Sequence, residues 1–250
     1  MWSWSFAIQV FPQLLSAFRL TIEVTVVAFL LACVLGLAFE CLRRSRVKPL
    51  RWAEIAVTEF IRTTPPLVQL YFIFYVLPLY GWTLSPFWAG VIGLGVHYAT
   101  YMAEVYRAGI DAVPKAQWEA ATALNFSRTQ TWVRIVFPQA IPPMIPVFGN
   151  YLLDLLKMTP LLSAITVVEV LQEANIIGSN FFRYTEPYTI AGVLFLVVSY
   201  LGAIVFRKVE VRMQRRYHLH IPSGPAAGSK RGWLRRIMGS VEPRQRDTLA

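Results

Sequence analysis

Residues 63–96 hold no Asp, Glu, Lys or Arg, an uncharged run of thirty-four positions. A helix needs roughly 20 apolar residues to cross a bilayer's hydrocarbon, so this run is long enough to contribute to two crossings. The turn-rich sequence LYGWTLSP at 79–86 divides it, giving a second span at 55–78 and a third at 87–106. A first span fits 14–42, with 24–39 free of charge and Arg19 and Glu23 one turn apart near its start. Residues 140–171 are interrupted by Pro142, Pro143, Pro146 and Pro160. They read as one broken or kinked span with a re-entrant or interfacial part, because backbone groups freed at prolines need protein or water partners. The uncharged 187–206 makes the last span. The expected fold is an all-α integral membrane protein of about five transmembrane helices. Its composition, 56% hydrophobic and 15% charged, excludes an ordinary soluble domain.

A formal charge of +10 is compatible with nucleic-acid binding, but position matters more than the sum. The first loop carries Arg43, Arg44, Arg46, Lys48 and Arg51, and the segment after span three carries Arg107, Lys115, Arg128 and Arg134. Eleven more Lys or Arg follow Phe206, whereas the opposite side has only Arg183 in its loops. Five spans put all the basic regions on one side, which places the N-terminus outside and the C-terminus inside. Residues 1–216 form the membrane unit, and 217–250, mixing Gly, Pro, Ser and basic residues, read as a disordered cytoplasmic tail in which 231–238 could lie on anionic lipid. The N-terminus lacks a basic n-region, so the first span is expected to be retained. Cys33 and Cys41 sit too far apart on one helix to bridge.

Between spans three and four lies the more polar WEAATALNFSRTQTWVRIVFP, residues 118–138. Pro114 suits a first helical position, 115–124 holds mostly good helix formers, and Asn125 tolerates the left-handed turn that ends a helix. Ser127 with Gln130 has the form of a capping box, so a second helix should begin there and run until Pro138 stops or kinks it. The result is a cytoplasmic helical hairpin.

These residues resemble the Glu-Ala-Ala loop of permease subunits of binding-protein-dependent ABC importers, here Glu119, Ala120 and Ala121 with Ile135 and Pro138. EFIRTTPPLVQLYF, AEVYRAGIDAVPKAQWEAA, FPQA and LLKMTPLLSAITVVEV are similar to the polar amino-acid (histidine/glutamine-type) branch, and the likeness covers about 14–216. LGVHYATYMAEVYRAGI and PQAIPPMIPVFGNYL look most like permeases assigned to ectoine and hydroxyectoine uptake. Two positions depart from the family pattern: Asn125 and Thr64 stand where Gly is common. The resemblance implies a type I importer transmembrane domain in a bacterial inner membrane. It also implies a coupling helix docked into a cytoplasmic ATPase, a second permease, like or unlike, and an extracytoplasmic solute-binding protein. Glu119 would be the polar contact or a brace, Ala120 and Ala121 would allow close approach, and Asn125 would form the turn. ATP would be bound by the partner, since this sequence has no GxxxxGK[ST] loop.

Ionisable groups inside spans are functional hypotheses by default. Glu59 with Arg62, Glu104 with Arg107, and Asp154 with Lys157 stand at i, i+3 and can meet on one helix face. Glu104 and Arg107 read as a brace near the hairpin, while Glu59 and Arg62 suit either a brace or a cytoplasmic vestibule. His97 falls about 16 Å into span three by helix rise, with Thr100 and Tyr101 following. It can be a satisfied interhelical hydrogen-bond partner, or it can line a path for a zwitterion with Thr100, Tyr101, Asp154 and Lys157. No nucleophile–base pair or metal spacing stands out, so a non-catalytic transport subunit is expected. A membrane-embedded enzyme or assembly factor that uses the hairpin to bind a partner is the alternative. A DNA-reading helix-turn-helix is disfavoured because both helices are tethered to spans.

Overall fold

The computed structural model describes residues 2–217, and all regular structure among them is helical. The expected tail at 217–250 lies outside the described residues, apart from Tyr217 at the end of the last helix.

Helix α1 (Trp4–Arg43) starts earlier than 14–42 suggested, because Ser3 caps it by accepting from the Phe6 N–H. It packs mainly on α4 (Pro86–Asp111) along a seam of small residues. Ala28, Ala32 and Gly36 recur every fourth residue on α1 and face Gly95, Ala99 and Ala103 of α4. A Cβ built on Gly36 would stand 2.9 Å from the Ala99 carbonyl oxygen, so the two backbones touch where a larger residue would hold them apart. Lipid offers apolar groups no reason to leave it, so close fit of this kind holds membrane helices together.

Span two, expected as one crossing at 55–78, is broken. Helix α2 (Lys48–Thr63) ends at Thr64, and the chain bends by 105° into α3 (Pro66–Tyr71) and the π and 3-10 turns that carry it to Tyr80. Pro65 and Pro66 explain the break: neither can donate to the preceding turn, and Thr64 before a proline is pushed into extended backbone, φ −93° and ψ 132°. Helix α2 turns Glu54 and Thr58 inward and leaves Trp52 and Phe60 exposed.

Short α5 (Lys115–Ala123) and α6 (Arg128–Thr131) form the hairpin and lead through a π-helical turn (Trp132–Val136) into α7 (Phe137–Met158). Of the two outcomes expected at Pro138, the stop does not occur. In the π turn the Phe137 N–H reaches back to Trp132, five residues away, and Pro138 then sits in the first turn of α7, where a missing donor costs little. Pro142, Pro143 and Pro146 also lie inside α7. The break comes later, through 3-10 turns at Thr159–Ile165 and left-handed Thr166, before α8 (Val170–Phe181), with a bend of 49°. Helix α9 (Thr185–Tyr217) closes the fold.

Among the described residues two helices, Trp4–Arg43 and Thr185–Met213, are long and apolar enough to cross a membrane alone, and each bent pair adds one if it counts as a single span. Helix α4 is long enough at 26 residues but less apolar, because its middle carries His97, Tyr98, Thr100 and Tyr101. At the far end from the hairpin, Phe6, Val10, Leu14 and Phe18 of α1 pack on Val170, Ala174 and Ile177 of α8 and Ala191 of α9. Buried Glu186 ties that end together, accepting from the Ser3 backbone N–H at 2.8 Å and pairing with Arg183.

Candidate functional site

The hairpin closes as its sequence suggests. Pro114 is the extended residue before α5, one place earlier than expected. Asn125 adopts φ 55°, which lets its N–H reach Thr122 O and the Phe126 N–H reach Ala121 O, each at 3.0 Å. Ser127 Oγ then accepts from the Gln130 N–H while Gln130 Oε1 accepts from the Ser127 N–H at 2.8 Å. Trp118 and Trp132 meet edge to face at 5.3 Å and pin the two arms. Beneath them Val105, Ile110, Val113, Val136, Ala140 and Met144 form a small core that joins the hairpin to α4 and α7. Glu119 and Ala120 are exposed and free to meet a partner. Ala121 is not: it is fully buried, and its carbonyl accepts the Phe126 N–H that helps close the turn.

At mid-height of α4 an aromatic cluster joins this helix to α7, with Gln69 of α3 beside it. Tyr101 lies 5.5 Å from His97, 6.0 Å from Tyr98 and 5.6 Å from Tyr151 of α7, ring centre to ring centre. Tyr98 donates its hydroxyl to Asp154 Oδ2 at 2.8 Å. Asp154 and Lys157 are both exposed and make no ion pair with each other, which corrects the expected i, i+3 pairing: Asp154 is satisfied across to α4 instead. Buried His97 meets Gln69 of α3 at 3.3 Å, and the same Gln69 amide donates to the carbonyls of Ile61 and Thr64, bridging the break after α2. Thr100 is fully buried and its hydroxyl donates to the His97 carbonyl at 2.7 Å, so it does not line a path as expected.

Towards the hairpin the charges converge on Glu104. It accepts from Arg107 at 2.7 Å, as the sequence suggests, and from Arg43 of α1 at 3.0 Å, with Arg62 of α2 at 3.5 Å. Arg62 therefore pairs with Glu104 and not with exposed Glu59 one turn away, which corrects the expected Glu59–Arg62 pair. The Arg62 guanidinium carbon stands 4.9 Å above the Tyr101 ring, linking the charged layer to the aromatic one. Arg44 joins buried Glu40 to Asp111 at the end of α4.

Residues 28–215 match the family described as binding-protein-dependent transport system inner membrane component. The chain belongs to that family. The permease is 40% identical to a probable amino-acid ABC transporter permease protein of Sinorhizobium fredii over 85% of this chain and 92% of that one. It is 35% identical to the L-cystine transport system permease protein TcyB of Bacillus subtilis, over 82% and 88% of the two chains. The crystal structure of an amino acid ABC transporter with histidines superposes with a TM-score of 0.79 at 31% identity, covering 85% of this chain and 99% of that one. The permease is thus a membrane transport subunit of an ABC importer, and ATP hydrolysis belongs to a separate subunit.

In the permease, Gln69, Tyr98 and Tyr151 complete the aromatic site although sequence reasoning missed them, as it missed Arg43, Glu40 and Glu54 around the charged layer. Two signals were available. Gln69 is an amide donor in a run without charges, where polar groups seek partners across helices, and Tyr98 and Tyr101 share one helix face at i, i+3. Nothing local announces that Tyr151 or Asp154 will meet them. Chemically, the site offers a carboxylate at one end, a guanidinium at the other and tyrosine faces between, an arrangement that can hold a small zwitterion without consuming it.

Proposed function

We propose that the permease forms half of the translocation path for a polar amino acid or a similar zwitterion, with ectoine and hydroxyectoine as the finer candidates. The observation that carries this reading is the mid-height cluster of Tyr98, Tyr101, Tyr151 and Asp154, polar groups concentrated at a depth where they are costly unless they meet solute or water. Similarity to amino-acid permeases supports the solute class. His97 and Lys157 border this path, Arg62 guards its inner end, and Glu59 sits at the vestibule rim. A second permease supplies the other half, and a solute-binding protein delivers from outside. ATPase subunits dock on Glu119 and Ala120, with Asn125 setting the hairpin's shape. The basic loops support an orientation with the N-terminus outside and the hairpin inside.

The test is uptake of labelled ectoine, arginine, glutamine and histidine by the reconstituted complex with its own binding protein. ATP-dependent accumulation of at least one is expected, and accumulation of none overturns the reading.

A further inference from the structure

We infer that Arg62 is the residue that grips the solute's carboxylate, with Glu104 as its positioning residue, and that the solute's cationic end points to Asp154. This rests on the reading above and adds a polarity to the path and a chemical requirement on what passes.

The Arg62 side chain is held on two sides. Its Nη1 stands 3.5 Å from Glu104 Oε1, and its guanidinium lies over the Tyr101 ring. Its Nε is buried and has no hydrogen-bond partner. A buried N–H without an acceptor is unfavourable, and in native structures such a group calls for an explanation. Because Glu104 engages Nη1, the edge left over is the one formed by Nε and Nη2. That edge is a planar two-donor fork that matches both oxygens of a carboxylate. Protein atoms cover this edge in the present conformation, so a carboxylate reaches it only when they move aside; it would then supply the acceptor that the protein does not.

The charge immediately around Glu104 agrees. Three guanidinium groups, those of Arg43, Arg62 and Arg107, share this one carboxylate. Glu54 is almost fully buried; one of its oxygens accepts from Thr58, and the other, 4.0 Å from Arg43, makes no hydrogen bond. Glu104 is thus shared three ways and cannot fully neutralise Arg62. At the opposite end Asp154 is exposed, and its contact is the Tyr98 hydroxyl, a neutral donor. Between the two poles the tyrosine rings present faces that suit a desolvated ammonium or amidinium group. A site positive at one pole and negative at the other selects a molecule carrying both charges. It disfavours a solute with the carboxylate blocked, because the fork would then be buried unpaired.

The test compares acid with carboxamide. Whichever of arginine, glutamine, histidine and ectoine the wild-type complex takes up is used as labelled probe, and its binding to the purified complex in nanodiscs, without the binding protein, is competed by the unlabelled acid and by its carboxamide. In the wild type the carboxamide should compete at least about tenfold more weakly. In Arg62→Gln the two competitors should come within about twofold of each other, and Arg62→Lys, which keeps charge but loses the fork, should fall between. Glu104→Gln should lower the ratio less than Arg62→Gln does. The ratio divides out any loss of folded complex, and Arg62→Lys stands in if Arg62→Gln does not assemble. Uptake of a probe with the acid-to-carboxamide ratio unchanged in both Arg62 variants overturns the inference and leaves the transport reading intact; no uptake of any probe overturns both.

Discussion

The hairpin and the aromatic cluster are assembled from opposite kinds of contact. In the hairpin the closing hydrogen bonds join residues three to five apart: Asn125 to Thr122, Phe126 to Ala121, and Ser127 with Gln130 in both directions. In the cluster Gln69 meets His97 across 28 positions, Tyr98 meets Asp154 across 56, and Arg43 meets Glu104 across 61. A short-range element keeps its shape whatever the spans around it do, which suits a part that must transmit movement to a partner without deforming. The long-range contacts exist only while α1, α3, α4 and α7 hold their mutual positions, so they suit a part whose contacts change as the path opens and closes.

That contrast predicts different failures. Asp154→Asn keeps the shape and removes the negative pole, so the cost falls on solute handling. Losing a charge-assisted contact of about 2 kcal/mol should cut uptake roughly thirtyfold. Docking of the ATPase, measured by co-purification, should not change. Equal uptake by the variant and the wild type would remove Asp154 from the path and leave the cluster a purely structural joint.

How much of this could be read in the sequence follows the same division. The hairpin's turn and capping box were visible because helix ends are decided within a few residues, and Asn125 announces a left-handed turn by its own side chain. Ala121 is buried and not presented to a partner, which its neighbours along the chain do not reveal. The i, i+3 pairs show the limit most clearly. Glu104 and Arg107 do meet, but Arg62 leaves Glu59 for Glu104, and Asp154 leaves Lys157 for Tyr98. Helical spacing makes an ion pair available, and a tertiary partner in a drier place takes precedence. The prolines teach a related lesson. Pro65 and Pro66 together break a helix, whereas Pro138, Pro142, Pro143 and Pro146 sit inside one continuous course, eased at its start by the π turn.

A second prediction acts on the hairpin. At Asn125, φ 55° is strained for a β-branched residue and easy for Gly. Asn125→Gly should leave coupling within about twofold of wild type, whereas Asn125→Val should cost about 1–2 kcal/mol locally. Transport per ATP hydrolysed should then fall by up to about tenfold, with solute binding at the cluster unchanged. If both variants couple alike, the turn is less strict than its geometry implies, and the claim that the hairpin is a rigid transmitter loses its main support.

The smallest effect should come from Ser127→Ala. The change removes one half of the capping box and leaves the other, since Gln130 Oε1 still accepts from the residue 127 N–H at 2.8 Å. N-cap losses of this kind cost typically about 1 kcal/mol. Part of that is offset here, because the Trp118–Trp132 contact and the core under the hairpin hold the arms without the cap. Hydrogen exchange of the α6 amides should therefore quicken severalfold while coupling efficiency stays within about twofold of wild type. A larger loss of coupling than in Asn125→Val would reverse that order and locate the rigidity of the hairpin in its second helix and not in its turn.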